Sequence, residues 1–126
     1  MTQEQKELLL RDLSARLPYG VKVLCLRDFN HKWYNLEMID IGDNEVYLTT
    51  NESYANRYVE IEDVKPYLFP LSISSMTEEQ KEDMVKSSCG IGSDKNVFDW
   101  YNKNHFDYRG LIPMGLANDA TGLNIY

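Results

Sequence analysis

Apolar positions recur at three- and four-residue spacing near the start of the chain. Leu9 or Leu10, Leu13 and Leu17 line one face of an amphipathic helix predicted over residues 2–16. Leu17-Pro18-Tyr19-Gly20 ends it, because Pro18 biases Leu17 away from helical angles and Gly20 permits a turn. The period then shortens towards two. In the first strand, Val21 to Leu26, Val21, Val23 and Cys25 share one face, Leu24 and Leu26 the other. Phe29-Asn30-His31-Lys32 connects it to a second strand, Trp33 to Ile41. There Tyr34, Leu36, Met38 and Asp40 lie opposite Trp33, Asn35, Glu37, Ile39 and Ile41. Gly42-Asp43-Asn44 is a turn signal, Glu45 to Thr50 a third strand, and Arg57 to Ile61 a fourth after the polar loop 51–56. Short loops between successive strands imply an antiparallel meander.

Residues 61–68 (Ile-Glu-Asp-Val-Lys-Pro-Tyr-Leu) form a short strand, a tight turn and a Pro-terminated apolar exit. This pattern resembles the closing segment of SH3-like small barrels. Residues 68–75 read as a bridge held to the core by four apolar side chains. A helix over roughly 77–87 follows, broken at Ser87-Ser88-Cys89-Gly90-Ile91-Gly92. A third helix, capped by Ser93 or Asp94, runs to about Asn104 with Val97, Trp100 and Tyr101 on one face. The tail from His105 to Tyr126 reads as short turns packed on the body. The heptapeptide at 1–7, MTQEQKE, returns at 76–82 as MTEEQKE, matching at six of seven positions. In each copy a Thr, Thr2 or Thr77, and a Gln three residues later, Gln5 or Gln80, form a capping box. The expected fold is α+β: an N-terminal helix, a four- to five-stranded antiparallel sheet or SH3-like barrel, two C-terminal helices and an ordered tail. One domain is expected over 1–126, with a helix at 1–17, a strand-rich part and bridge at 18–75, and a helical part and tail at 76–126.

Charge changes this picture more than composition does. The net charge is −7, which disfavours a nucleic-acid binder and attraction to an anionic membrane. Seven acids (Asp40, Asp43, Glu45, Glu52, Glu60, Glu62 and Asp63) fall within 40–63 against one base, Arg57, nearly the whole excess. Such a stretch is either a solvated face or a docking surface for a basic partner. Nine Tyr are many for 126 residues, and Trp33, Tyr34, Tyr47, Tyr54, Tyr58 and Tyr67 all fall in the strand-rich part. Those left outside the core would make a Tyr-rich acidic surface suited to Arg and Lys. No apolar run approaches membrane-spanning length, and the start lacks a signal-peptide pattern, so a cytoplasmic setting with free thiols is expected.

Catalytic signals are weak. His105, Asp107 and Arg109 place an imidazole, a carboxylate and a guanidinium within five residues. They could form an acid–base or anion-binding cluster. Alternatively, Asp107 caps a turn and Arg109 pairs with an acid. His31 is expected on the surface and Cys25 in the core. Two distant Cys and two distant His do not make a zinc site, and no cofactor is implied. Gly90-Ile91-Gly92-Ser93 reads as a connector rather than a phosphate loop, and Asp119-Ala120-Thr121-Gly122 as a turn.

Three blocks, MTQEQKELLLRDLSARLPYGVK, IEDVKPYLFPLS-x-SSMTEEQ and HFDYRGLIPMGLA-x-DATGLNIY, resemble small proteins without assigned activity from gut Bacteroides-type bacteria and their phages or mobile elements. The resemblance spares roughly 22–58 and implies a bacterial or phage setting with no site. The favoured expectation is a non-enzymatic protein-interaction module, binding a basic protein through Asp40, Asp43, Glu45, Tyr47, Tyr58, Glu60 and Glu62. The alternatives are a ligand-binding protein or enzyme at His105, Asp107 and Arg109, or an inhibitor mimicking nucleic acid with its acids.

Overall fold

The computed structural model describes residues 1–28, 32–52, 55–72, 76–89 and 93–126, with backbone only at 87–89 and 93–96. The expectations for Phe29–His31, Tyr54 and Gly90–Gly92, and for the side chains of Cys89 and Ser93, lie outside these residues. The fold is α+β: a first helix, a mixed sheet, two further helices and a tail that returns to the sheet.

Helix α1 (Gln3–Arg16) starts on the capping box of Thr2 and Gln5. Helix α2 (Glu78–Cys89) starts on the same device, with the Gln80 amide donating to the Thr77 hydroxyl at 3.1 Å and the Thr77 amide donating to the Gln80 side chain at 3.0 Å. Leu9 and Leu13 of α1 are fully buried against the sheet. A 3-10 turn over Leu17–Tyr19 leads to Gly20, whose φ of 70° lies where a side chain would be strained. Strands β1 (Lys22–Cys25), β2 (Tyr34–Asp40), β3 (Glu45–Thr49) and β4 (Arg57–Glu60) form the expected antiparallel meander. A second 3-10 turn, Ile61–Asp63, turns the chain into β5 (Val64–Pro70), which pairs antiparallel with β1. The sheet order is β4-β3-β2-β1-β5 and continues into the tail.

Three expectations are corrected. The sheet is mixed rather than wholly antiparallel: β6 (Phe106–Asp107) and β7 (Asn118–Asp119), both from the tail, pair parallel to β5. Residues 68–70 belong to β5 and not to a bridge, because these short tail strands satisfy their backbone groups: the Phe69 amide donates to the His105 carbonyl and the Ala120 amide to the Leu68 carbonyl. In β2 the register shifts between Leu36 and Met38. This bulge inverts the alternation, so Tyr34 and Leu36 are buried, Met38 is exposed, and Ile39 packs against the core.

The main core joins α1, the inner face of the sheet, and Leu111, Leu116 and Ala117 of the tail. Cys25 is a buried free thiol within it. A second cluster gathers Met76, Trp100 and Phe106, with Phe69, Met84 and Tyr101 against it. Trp100, on helix α3 (Ser93–Lys103), stacks on Phe106 at 5.5 Å. This cluster binds the two later helices to the tail strands.

The β1–β5 ladder stops at Val23↔Pro66. Just beyond that point the Tyr126 hydroxyl accepts from the Lys22 amide at 2.9 Å and donates to the Tyr67 carbonyl at 2.7 Å. A side chain thus replaces the missing ladder contact, and the Tyr126 ring packs on Phe69 at 5.9 Å. Tyr126→Phe is expected to keep the ring packing and lose about 1 kcal/mol of stability, read from urea unfolding.

Candidate functional site

Cross-strand register builds the outer face of β2, β3 and β4. Asp40 lies opposite Glu45, and Glu45 opposite Glu60. One step along, Met38 lies opposite Tyr47, and Tyr47 opposite Tyr58. Residues directly opposite share a face, so a row of three carboxylates runs beside a row of one Met and two Tyr. The inward face carries Val46, Leu48 and Val59. Met38 is 50% exposed and Tyr58 55%, while the Tyr47 and Tyr58 rings meet at 4.7 Å.

Like charges directly opposite one another destabilise a sheet. The Asp40 carboxylate accepts the Asp43 amide at 3.2 Å, within the turn between β2 and β3. Glu45 and Glu60 form no ion pair with any described residue. Other acids of the stretch are neutralised from elsewhere in the chain. Glu62 pairs with Lys6 of α1, whose hydrogen bond and charge hold the Glu62 carboxyl below its ordinary range. Asp63 pairs with Arg27 at 2.7 Å. Counted in space rather than in sequence, the acidic stretch gains two bases while its own Arg57 pairs with Asp28, and Asp40, Asp43, Glu45 and Glu60 form no ion pair with any described residue.

Two shallow depressions border this face. One of about 220 Å³ is lined by Lys6, Asp43, Asn44, Glu45, Glu60, Ile61 and Glu62. The other, of about 320 Å³, is lined by all four residues of β4 together with Arg27, Glu45 and Asp63. The remaining strand aromatics have other roles. Tyr34 is fully buried and donates its hydroxyl to Asp28, which also pairs with Arg57 at 2.8 Å. Burial, with the Asp28 carboxylate, pushes the Tyr34 phenol up to about 12. Tyr67 is half-buried and donates to the Lys32 carbonyl at 2.8 Å. Trp33 is half-buried beneath the Lys22 ammonium, 4.0 Å from its ring centre.

His105, Asp107 and Arg109 are not joined around a common point. The Asp107 carboxylate accepts the Leu111 and Ile112 amides, both at 2.8 Å, and so caps the turn that follows β6. Arg109 donates to Asp12 at 2.9 Å and lies over the Tyr108 ring. His105 is buried with φ +62° and stacks on Tyr126 at 3.6 Å. Burial, with the nearby Arg16 and Lys22 charges, pushes its imidazole down to about 4. Its Nδ1 has no hydrogen-bond partner among the described residues. The Asp119 carboxylate accepts the Thr121 amide and hydroxyl, closing the expected turn, although β7 precedes it.

Sequence reasoning missed Asp12 and Arg16, the partners that hold this region. Both are 0% exposed. Arg16 donates to Asp12 at 2.8 Å and to the Phe106 carbonyl at 2.6 Å. The signal was present: residues 9, 12, 13 and 16 share one helical face, which placed an acid and a base among the leucines.

Among the described residues, no group of three or more His, Cys, Asp or Glu is placed to hold a metal ion, and no helix is long and apolar enough to cross a membrane. Comparison with known protein families, with curated proteins and with solved structures finds no match.

Asp12→Asn leaves two guanidiniums without their carboxylate, one of them fully buried, and is expected to cost about 3 kcal/mol in urea unfolding. The double change Asp12→Leu with Arg16→Met should cost less, because Arg109 is partly exposed and can turn to water. His105 has a folded-state value near 4 against 6.5 for the unfolded chain. Its contribution is therefore fully present above pH 6.5 and is lost as pH falls towards 4. Between pH 7 and pH 5 this amounts to roughly 2 kcal/mol. His105→Asn, which tolerates the left-handed backbone, should flatten that dependence in denaturation measured at the two pH values.

Proposed function

We propose that the protein is a non-enzymatic interaction module that binds a basic protein partner through the outer face of β2, β3 and β4. The observation that carries this reading is the carboxylate row of Asp40, Glu45 and Glu60, set beside exposed Met38 and Tyr58. A merely solvating surface does not require acids directly opposite one another, where they repel. A row of apolar and aromatic groups along its flank supplies contact area for the stems of Lys and Arg. The sheet order β4-β3-β2-β1-β5, with a 3-10 turn leading into β5, supports an SH3-like small-barrel reading of this part, a fold that does not itself dictate function. The sequence resemblance supports a bacterial, phage or mobile-element setting, with action in the cytoplasm. The alternative at His105, Asp107 and Arg109 has less support, since each of the three already serves a packing or pairing role.

The test is capture of partners from host lysate by the tagged protein and by the Asp40→Asn/Glu45→Gln/Glu60→Gln variant. The variant should lose the captured proteins, and high salt should release them from the parent. Its melting temperature should stay level or rise by about 1–3 °C, because repulsion is relieved. Glu62→Gln should have a smaller effect, since Lys6 already pairs with Glu62. Undiminished capture by the triple variant would remove this face as the binding surface.

A further inference from the structure

The row of carboxylates ends at β4, and β4 ends the sheet. One side of β4 is fully laddered to β3, from Glu45↔Glu60 to Leu48↔Arg57, without a bulge. On its other side no strand pairs with it among the described residues. Backbone groups along that edge therefore point away from the sheet. Edges can be blunted by Pro, a bulge, charged side chains or shortness. Strand β4 has no Pro and no bulge, but it is four residues long and carries Arg57 and Glu60, so an added strand must be short and must meet those charges. Beside the edge runs the depression of about 320 Å³ lined by all four β4 residues, with Arg27 and Asp63 also lining it. Its two cations are engaged, Arg27 with Asp63 and Arg57 with Asp28. Its carboxylates at Glu45 and Glu60 have no cation among the described residues.

We infer that β4 accepts an extended segment of the partner protein as an added antiparallel strand. The segment carries Lys or Arg opposite Glu60 and an aromatic or long aliphatic residue two positions later, opposite Tyr58. The inference rests on the basic-partner reading and adds how that partner is held. Backbone pairing at an open edge supplies affinity, and alternate side chains supply specificity. Because residues opposite one another share a face, the incoming residue at Glu60 extends the row Asp40–Glu45–Glu60 and must be a cation. The incoming residue at Tyr58 extends the row Met38–Tyr47–Tyr58, where apolar contact is already exposed. The residue between them lies opposite Val59, which faces the buried side, so a small or apolar residue fits there. A second copy of this chain is a poor occupant. Symmetric pairing about Val59 would set its Tyr58, not a cation, against Glu60, and would join two chains of net charge −7.

Titration of the full chain with short synthetic peptides, followed by fluorescence anisotropy, tests this. The parent peptide is centred on Lys-Val-Tyr. A control replaces Lys by Glu. Two further peptides are N-methylated, one at the Lys and Tyr amides and one at the Val amide. Adjacent amides of a strand point to opposite sides, so only one of the two methylation patterns meets β4. Strand addition predicts that the parent binds, that the Glu control fails, and that one methylated form weakens by about tenfold or more while the other binds nearly as the parent does. Glu60→Lys should reverse the preference between the Lys and Glu peptides. If both methylated forms bind like the parent and salt weakens all three, edge pairing is overturned while the basic-partner reading stands. If neither the Lys peptide nor its methylated forms bind, both are overturned.

Discussion

Asp12 is a carboxylate with no exposed surface, held between Arg16 on its own helix and Arg109 of the tail. A charge taken out of water is tolerated only when it is paired and hydrogen-bonded, and that requirement organises the fold. It fixes the residues after α3 against α1, since Arg16 also holds the Phe106 carbonyl. With Phe106 placed, β6 meets β5, and Phe106 stacks under Trp100 to seat α3. The β6 pairing and the second core cluster thus adjoin a buried ionic contact that joins α1 to the tail.

Two groups of acids in this protein contrast physically. Asp12, Asp28 and Asp107 are buried, and each is satisfied: Asp12 by two guanidiniums, Asp28 by Tyr34 and Arg57, Asp107 by two backbone amides. Asp40, Glu45 and Glu60 stand in a row on the open face, where repulsion weakens the sheet that carries them. Inside the molecule, desolvation forced each carboxylate to find a partner. Outside, water tolerates the unpaired row, and a cation from another molecule can gain from it. The contrast separates the acids that hold the structure from those on which the proposed binding rests.

Much of the fold was legible along the chain because its cause is local. Capping boxes at Thr2 and Thr77 place two helix starts, since Thr and Gln satisfy amides within three residues. Alternation set Val21, Val23 and Cys25 on one face, which the structure buries, and Gly42-Asp43-Asn44 turned β2 into β3. Sequence position gathered the acids into one stretch but could not reveal that Lys6 and Arg27 neutralise part of it, because those pairs cross from other elements. The bulge between Leu36 and Met38 was illegible for a similar reason: it is a property of two strands in register, not of one.

By itself, then, the sequence determined the helices, the meander and the acidic, Tyr-rich character of one region, all of them products of periodicity, capping and composition over a few residues. Only the tertiary structure decided that the tail would add strands to β5, that His105, Asp107 and Arg109 would turn to separate partners, and that Asp40, Glu45 and Glu60 would align. These outcomes depend on desolvation and on cross-strand register. Both are set by which distant residues meet, and no local pattern carries that information.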